Sequence, residues 1–232
     1  MSAGYGTATI VERVAAATRA VIAGEAVYER DSVLFHEPAW PFPVLAALLR
    51  VAALNAGKLD VFDFGGSLGS TYRQCRPFLG SLAHLRWCVI EQPAFVTVGQ
   101  AEFSSAELSF AATLADLPDP VAAPIVLASS VLQYLVDPAQ TLHELSRLRA
   151  SHLMIDRTPL CEQATNRLCI QHVPKHIYAA SYPCWILSRS RLLDQLTTDW
   201  RLVCDFPGAD GTYTTDDGLR FEFRGLIFER RS

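Results

Sequence analysis

Asp63, Gly65, Gly66, Ser67 and Gly69 close an apolar run that contains Val61, Phe62 and Phe64. An apolar run that breaks into glycines reads as a buried strand entering a tight turn and then a helix N-terminus. Glycine there lets another molecule approach the backbone. A second apolar run, Trp87-Cys88-Val89-Ile90, ends in Glu91, followed by Gln92 and Pro93. Glu91 stands 22 positions beyond Gly69, the spacing at which a strand-end carboxylate reaches a ribose hydroxyl. The chemistry these residues offer is the holding of an adenosine-containing cofactor, with Asp63 ordering the turn beneath it.

Which cofactor follows from the turn. A pyrophosphate needs G-x-G-x-x-G, and Ser67 stands where the second glycine of that pattern belongs. The run 63–69 (DFGGSLG) instead resembles motif I of the class I S-adenosylmethionine-dependent methyltransferases, D/E-x-G-x-G-x-G, departing from it at the middle glycine. A nicotinamide or flavin site and a loop that binds nothing are the alternatives. Ser129 and Ser130 end another apolar run, 124–129. They are read as further cofactor contacts at the carboxyl edge of the sheet, or as a helix cap. They are not the Asn/Asp-Pro-Pro-Tyr of many adenine and glutamine N-methyltransferases, which counts against a DNA or protein-amide substrate.

Residues 159–187 are too long for a plain connection and interleave Gln171, His172, Tyr178, Tyr182 and Trp185 with prolines. This composition is expected to form a shaped lid lining an acceptor pocket. His172 is the leading candidate for a general base, because histidine titrates near neutrality, and Asp156 is the next. Cys161, Cys169, His172 and His176 match no common zinc spacing, and His143-Glu144 lacks a second histidine four residues on. No metal is expected.

These groups need elements to hold them. Thr9-Ile10-Val11-Glu12 has the form of a capping box before a helix ending near Gly24. A polar turn containing Glu29, Arg30 and Asp31 follows, and Pro43 opens a helix closed at 55–57. After the glycine turn a helix is expected over 70–76, cut by Pro77. Strands are expected at 108–112, 124–129 and 152–156, with a helix from Pro138 to Arg149 and another capped by Ser188. Two last strands, 201–206 and 219–229, read as a hairpin. Strands alternating with helices and closed by a hairpin mean an α/β, Rossmann-like doubly wound sheet with an antiparallel C-terminal edge.

At 232 residues, with 50% hydrophobic and 19% charged, the chain can bury a sizeable core without disulfides or metal. A net charge of −4, with no basic cluster beyond Arg230-Arg231, argues against nucleic acid as a partner. No run is long enough to span a bilayer, and no basic n-region precedes an apolar core, so a cytoplasmic location is expected. Six cysteines without a CxxC pair read as reduced thiols, with Cys88 and Cys204 inside apolar strands.

Beyond motif I, the chain resembles one group of methyltransferase-like proteins, mostly uncharacterised and often associated with polysaccharide or glycan biosynthesis. The matching segments are 63–72 (DFGGSLGSTY), 87–93 (WCVIEQP), 130–138 (SVLQYLVDP), 156–159 (DRTP) and 171–188 (QHVPKHIYAASYPCWILS). The resemblance implies the class I methyltransferase fold and S-adenosylmethionine as cofactor. On that footing residues 1–57 form a helical segment capping the cofactor site. Residues 58–232 form the α/β domain, with 159–187 as a substrate-facing insertion. The expected activity is methyl transfer, most simply to an oxygen of a small-molecule or saccharide acceptor. The rivals are a protein that binds the cofactor without turnover and a nicotinamide-dependent oxidoreductase. Oligomeric state is not legible.

Overall fold

The computed structural model describes residues 8–173 and 180–231, in two compact units, Met1–Pro124 and Ile125–Ser232. In the first, α1 (Ala8–Ile22) leads to a hairpin of β1 (Tyr28–Arg30) and β2 (Val33–Phe35). α2 (Phe42–Leu54), with Pro43 in its first turn, precedes β3 (Lys58–Phe64) and α3 (Ser70–Leu79). Then come β4 (His84–Ile90), α4 (Pro93–Val98) continuing as one π turn over Gly99–Phe103, and β5 (Leu108–Ala111). β3, β4 and β5 are parallel in that order, with Phe64 beside Ile90 and Ile90 beside Ala111. The carboxyl ends of the three strands therefore line up along one edge.

In the second unit, β6 (Ile125–Ser129) runs through a 3-10 turn, Leu132–Tyr134, into α5 (Pro138–Arg147) and β7 (His152–Cys161). β8 (Arg167–Val173) and β9 (Ala180–Ser188) pair antiparallel, and the end of β9 lies parallel to the end of β7. α6 (Arg189–Leu196) precedes β10 (Trp200–Thr214) and β11 (Arg220–Arg230), the expected antiparallel hairpin. β11 adds antiparallel to β7, and β7 pairs parallel with β6. The centre of each unit is aliphatic, as parallel strands covered on both faces require: Leu59 and Val61 in one, Ile125, Leu127 and Ile155 in the other.

Several expectations need correction. α1 begins at Ala8, so Thr9 lies inside the helix and not at its cap. Glu29 is not in a turn. It sits buried in β1, and Asp31 and Ser32, both left-handed (φ 51° and 67°), make the two-residue hairpin connection. α3 continues through Pro77 to Leu79, because burying Cys75 and Leu79 outweighs the one backbone hydrogen bond that proline forfeits. The described part of residues 159–187, for which no strand was expected, is largely strand: the end of β7, then β8 and β9. Cys204 is exposed, since β10 is an edge strand with one open face, whereas Cys88 is buried.

Candidate functional site

The glycine turn is built around Asp63. Asp63 is 1% exposed at the end of β3, and its Oδ2 accepts a hydrogen bond from the Trp87 indole at 2.9 Å. A Cβ placed on Gly66 would lie 2.5 Å from the Asp63 carboxyl carbon, so only glycine fits above it. Gly65 (φ 74°) and Gly69 (φ 87°) take left-handed backbone, and so does Ser67 (φ 56°). The serine in the middle glycine's place thus adopts the conformation that a glycine would. Gly65 N–H donates to Ile90 O at 2.9 Å, Leu68 is fully buried, and the Arg73 guanidinium donates to Leu68 O. Burial, with Glu91 nearby, pushes the Asp63 carboxyl up to about 7 against its Trp87 hydrogen bond.

Glu91 follows β4 directly, its N–H donating to Ala111 O at 3.1 Å. Its Oε2 accepts from Gln92 N–H at 2.7 Å, and the Ser67 backbone also supports the carboxylate. Burial nevertheless raises its pKa. Asp63, Gly65, Gly66, Ser67, Gly69 and Glu91 are therefore gathered at one strand edge, while the Gln92 side chain is exposed. From the N-terminal segment, Glu29 accepts a hydrogen bond from Ser70 Oγ, at the first residue of α3. Sequence reasoning missed this tie, because Glu29 looked like a turn residue.

A second polar cluster lies in the other unit. Ser129 Oγ donates to Asp156 Oδ2 at 3.0 Å, and Ser130 N–H to Asp156 O at 2.9 Å. Asp156 is 7% exposed, and burial raises its pKa against the Ser129 bond and the charge of Arg157. Gln133, fully buried, donates from Nε2 to Ser130 Oγ (3.1 Å) and Arg157 O (3.4 Å). Arg157 binds Asp210 through two nitrogens at 2.8 and 3.1 Å. Gln133 was missed although it lies within segment 130–138. It reads as one polar residue in an apolar turn, and nothing in the sequence shows that it points inward.

The β8–β9 ribbon meets the same 3-10 turn. Tyr134 OH donates to Gln171 Oε1 at 3.1 Å, and the Tyr134 and Tyr182 rings meet edge-on with centroids 5.5 Å apart. Trp185 Nε1 donates to Leu135 O at 3.1 Å. Gln171, Tyr182 and Trp185 are thus brought together, around a Tyr134 that was not anticipated. His172 is placed otherwise. It pairs with Ser181 on the opposite face from the Gln171–Tyr182 pair, exposed, in line with Leu168 and Ile170. Tyr178 and His176 lie outside the described residues.

A cavity of about 490 Å³ in this unit is lined by none of these groups. Among the charges lining it, Arg189 and Arg224 each lie 2.6 Å from Asp205. Among the described residues no group of three His, Cys, Asp or Glu side chains is placed to hold a metal, and no helix is long and apolar enough to cross a membrane.

No protein-family model and no curated protein matches the sequence. Solved structures do. The N-terminal domain of EvdMO1, in the presence of SAH and D-fucose, aligns with a TM-score of 0.54 at 13% identity, over 97% of this chain and 100% of that one. A Listeria monocytogenes protein assigned as an S-adenosylmethionine dependent methyltransferase aligns with a TM-score of 0.52 at 10% identity, over 82% of this chain and 98% of that one. At such identities the likeness concerns the fold. The chain has the α/β fold of the class I S-adenosylmethionine-dependent methyltransferases, a mostly parallel sheet with flanking helices.

Proposed function

We propose that the chain is an S-adenosylmethionine-dependent methyltransferase acting on a hydroxyl of a small-molecule or saccharide acceptor. One observation carries the reading. A glycine turn clamped from behind by a buried carboxyl stands at the same strand edge as a half-buried carboxylate in the ribose position. The donor set fits the cofactor. Gly65, Gly66 and Gly69 keep side chains away from the turn, Ser67 preserves its left-handed backbone, and Glu91 offers carboxylate to ribose hydroxyls. Residues 1–57 are assigned the role of cap, a reading the Glu29–Ser70 hydrogen bond supports.

When bound, S-adenosylmethionine supplies an electrophilic methyl carbon, and the remaining task is to orient the acceptor and remove its proton. Gln171, Tyr182, Trp185 and Tyr134 are proposed as the acceptor wall. Asp156, with Ser129 and Ser130 holding it, is proposed as the proton acceptor in preference to His172, since it is buried at a strand end, where burial raises its pKa, whereas His172 is exposed on the ribbon face away from Gln171 and Tyr182. The likeness to a domain crystallised with SAH and D-fucose supports a sugar-like acceptor, as does the resemblance to glycan-associated methyltransferases. The test is methyl transfer from labelled cofactor to a panel of hydroxylated small molecules and glycosides. Product is expected with at least one acceptor, and Asp156→Asn should slow its formation by roughly 10²–10⁴-fold with little change in cofactor affinity. Cofactor binding without any product would identify a non-catalytic binding protein.

A further inference from the structure

We propose that the cavity of about 490 Å³ at the end of β7 binds a neutral saccharide, whose hydroxyls lie between guanidinium and carboxylate groups of β7, β11 and α6. The cavity is separate from the acceptor wall and owes nothing to the cofactor. Leu160, which lines it, stands four residues along β7 from Asp156, about 13 Å at the rise of a strand.

The lining is laid out on one face of the sheet. Leu160 on β7, Glu222 on β11 and Thr212 on β10 stand directly opposite one another, and Arg220 and Arg224 flank Glu222 on the same face. Residues 208–211 bulge from β10 between the pairs Pro207–Arg224 and Thr212–Glu222, and such irregularities re-aim side chains beside ligand sites. Arg189, the first residue of α6, completes the wall. Asp205 fixes the geometry. Its Oδ2 accepts from Arg189 at 2.6 Å and its Oδ1 from Arg224 at 2.6 Å, while Arg224 Nη1 donates to Glu222 Oε2 at 2.8 Å. A ligand can reach these groups, since the side chains of Arg189, Arg224 and Glu222 are 29%, 23% and 34% exposed.

Much of the polar capacity is unspent. Among the described residues, Arg189 Nη1, Glu222 Oε1, the Thr212 hydroxyl and the side chains of Arg220 and Glu162 have no hydrogen-bond or ion-pair partner. The lining carries three cations, Arg189, Arg220 and Arg224, and three anions, Glu162, Asp205 and Glu222. A balanced set favours an ion of neither sign. Nor do the acids converge, for among the described residues no three are placed to hold a metal. What the set offers is charged donors beside charged acceptors. Hydroxyls satisfy that arrangement, because each can accept from a guanidinium and donate to a carboxylate at once. A sugar presents several such hydroxyls without net charge. The volume falls within the ~300–1,000 Å³ of pockets that enclose small molecules, which makes disaccharides suitable probes.

The experiment titrates the full, isotope-labelled chain with maltose, cellobiose and lactose, and separately with inorganic phosphate. Backbone amide shifts read both affinity and place. At least one disaccharide should bind and shift the amides of Glu162, Thr212 and Glu222 while leaving those of Gln171 and Tyr182 in place, and phosphate should bind there at least tenfold more weakly. Arg220→Ala and Glu162→Ala remove exposed side chains that hold nothing else, and each should weaken that sugar fivefold or more. If a variant does not fold, the wild-type shifts alone decide. No disaccharide binding, phosphate binding as tightly as sugar, shifts confined to the β8–β9 ribbon, or undiminished binding by either folded variant would overturn the proposal. S-adenosylhomocysteine binding is read separately by calorimetry, and its failure would overturn the proposed function while leaving this site standing.

Discussion

Asp63 is a residue whose charge state the fold controls through burial. Its carboxyl titrates at 3.8 ordinarily and at about 7 in the folded chain. Between those values the unfolded chain releases a proton that the folded chain keeps, so stability falls as pH rises from about 4 to 7 and then levels. Asp63→Asn removes this titration. Its stability relative to the parent should therefore grow across that window, by on the order of 4 kcal/mol, measured by urea unfolding at pH 4 and pH 8. A constant difference between the two pH values would contradict the burial argument. Ser67 gives a second check. Relief of its left-handed backbone by Ser67→Gly, less the extra chain entropy of glycine, should stabilise by roughly 0.5–1 kcal/mol in the same measurement. A destabilised Ser67→Gly would show that the serine side chain, rather than the turn conformation, is what the site uses. The type and spacing of Asp63 through Gly69 and of Glu91 were legible in the sequence, because glycine and strand-end acids mark backbone needs. Gln133 and Tyr134 were not, because their roles depend on which way a short turn faces.

The elements show why some of the chain reads plainly and some does not. Residues 125–128 form an unbroken apolar run and are the buried part of β6. β8 and β9 carry no such signal. Leu168 and Ile170 are more than half exposed, and Pro183 lies within β9, so neither alternation nor continuity marks them as strands. Their pairing comes instead from contacts distant in sequence, Tyr134 with Gln171 and Trp185 with Leu135. Trp185→Phe deletes one such bond and leaves the Leu135 carbonyl to find another donor. It should loosen the ribbon locally, seen as faster amide exchange in β8 and β9 with the rest of the chain unchanged. Unaltered exchange would mean that packing alone holds the ribbon. A second element depends on one side chain. Arg230 donates to the carbonyls of Ser146, Leu148 and Ala150 at and beyond the end of α5, and its guanidinium lies 4.3 Å from the Trp200 ring centroid. Arg230→Met should cost about 2–4 kcal/mol in urea unfolding by stranding those carbonyls, and a loss under 1 kcal/mol would assign the work to water.

At the scale of the whole molecule, the alternation of strands and helices and the closing hairpin were enough to give the α/β class, and the structural likenesses agree with it. Fold is the coarsest property, and hydrophobic periodicity encodes it many times over. Chemistry is encoded once, in a few side chains. The central claim is therefore the cofactor. Isothermal titration calorimetry of the purified chain with S-adenosylhomocysteine and, in parallel, with NAD tests it most directly. The account predicts binding of S-adenosylhomocysteine, none of NAD, and a loss of about 1–3 kcal/mol for S-adenosylhomocysteine in Glu91→Ala. Binding of NAD in place of S-adenosylhomocysteine, or an unchanged affinity in a folded Glu91→Ala, would contradict it.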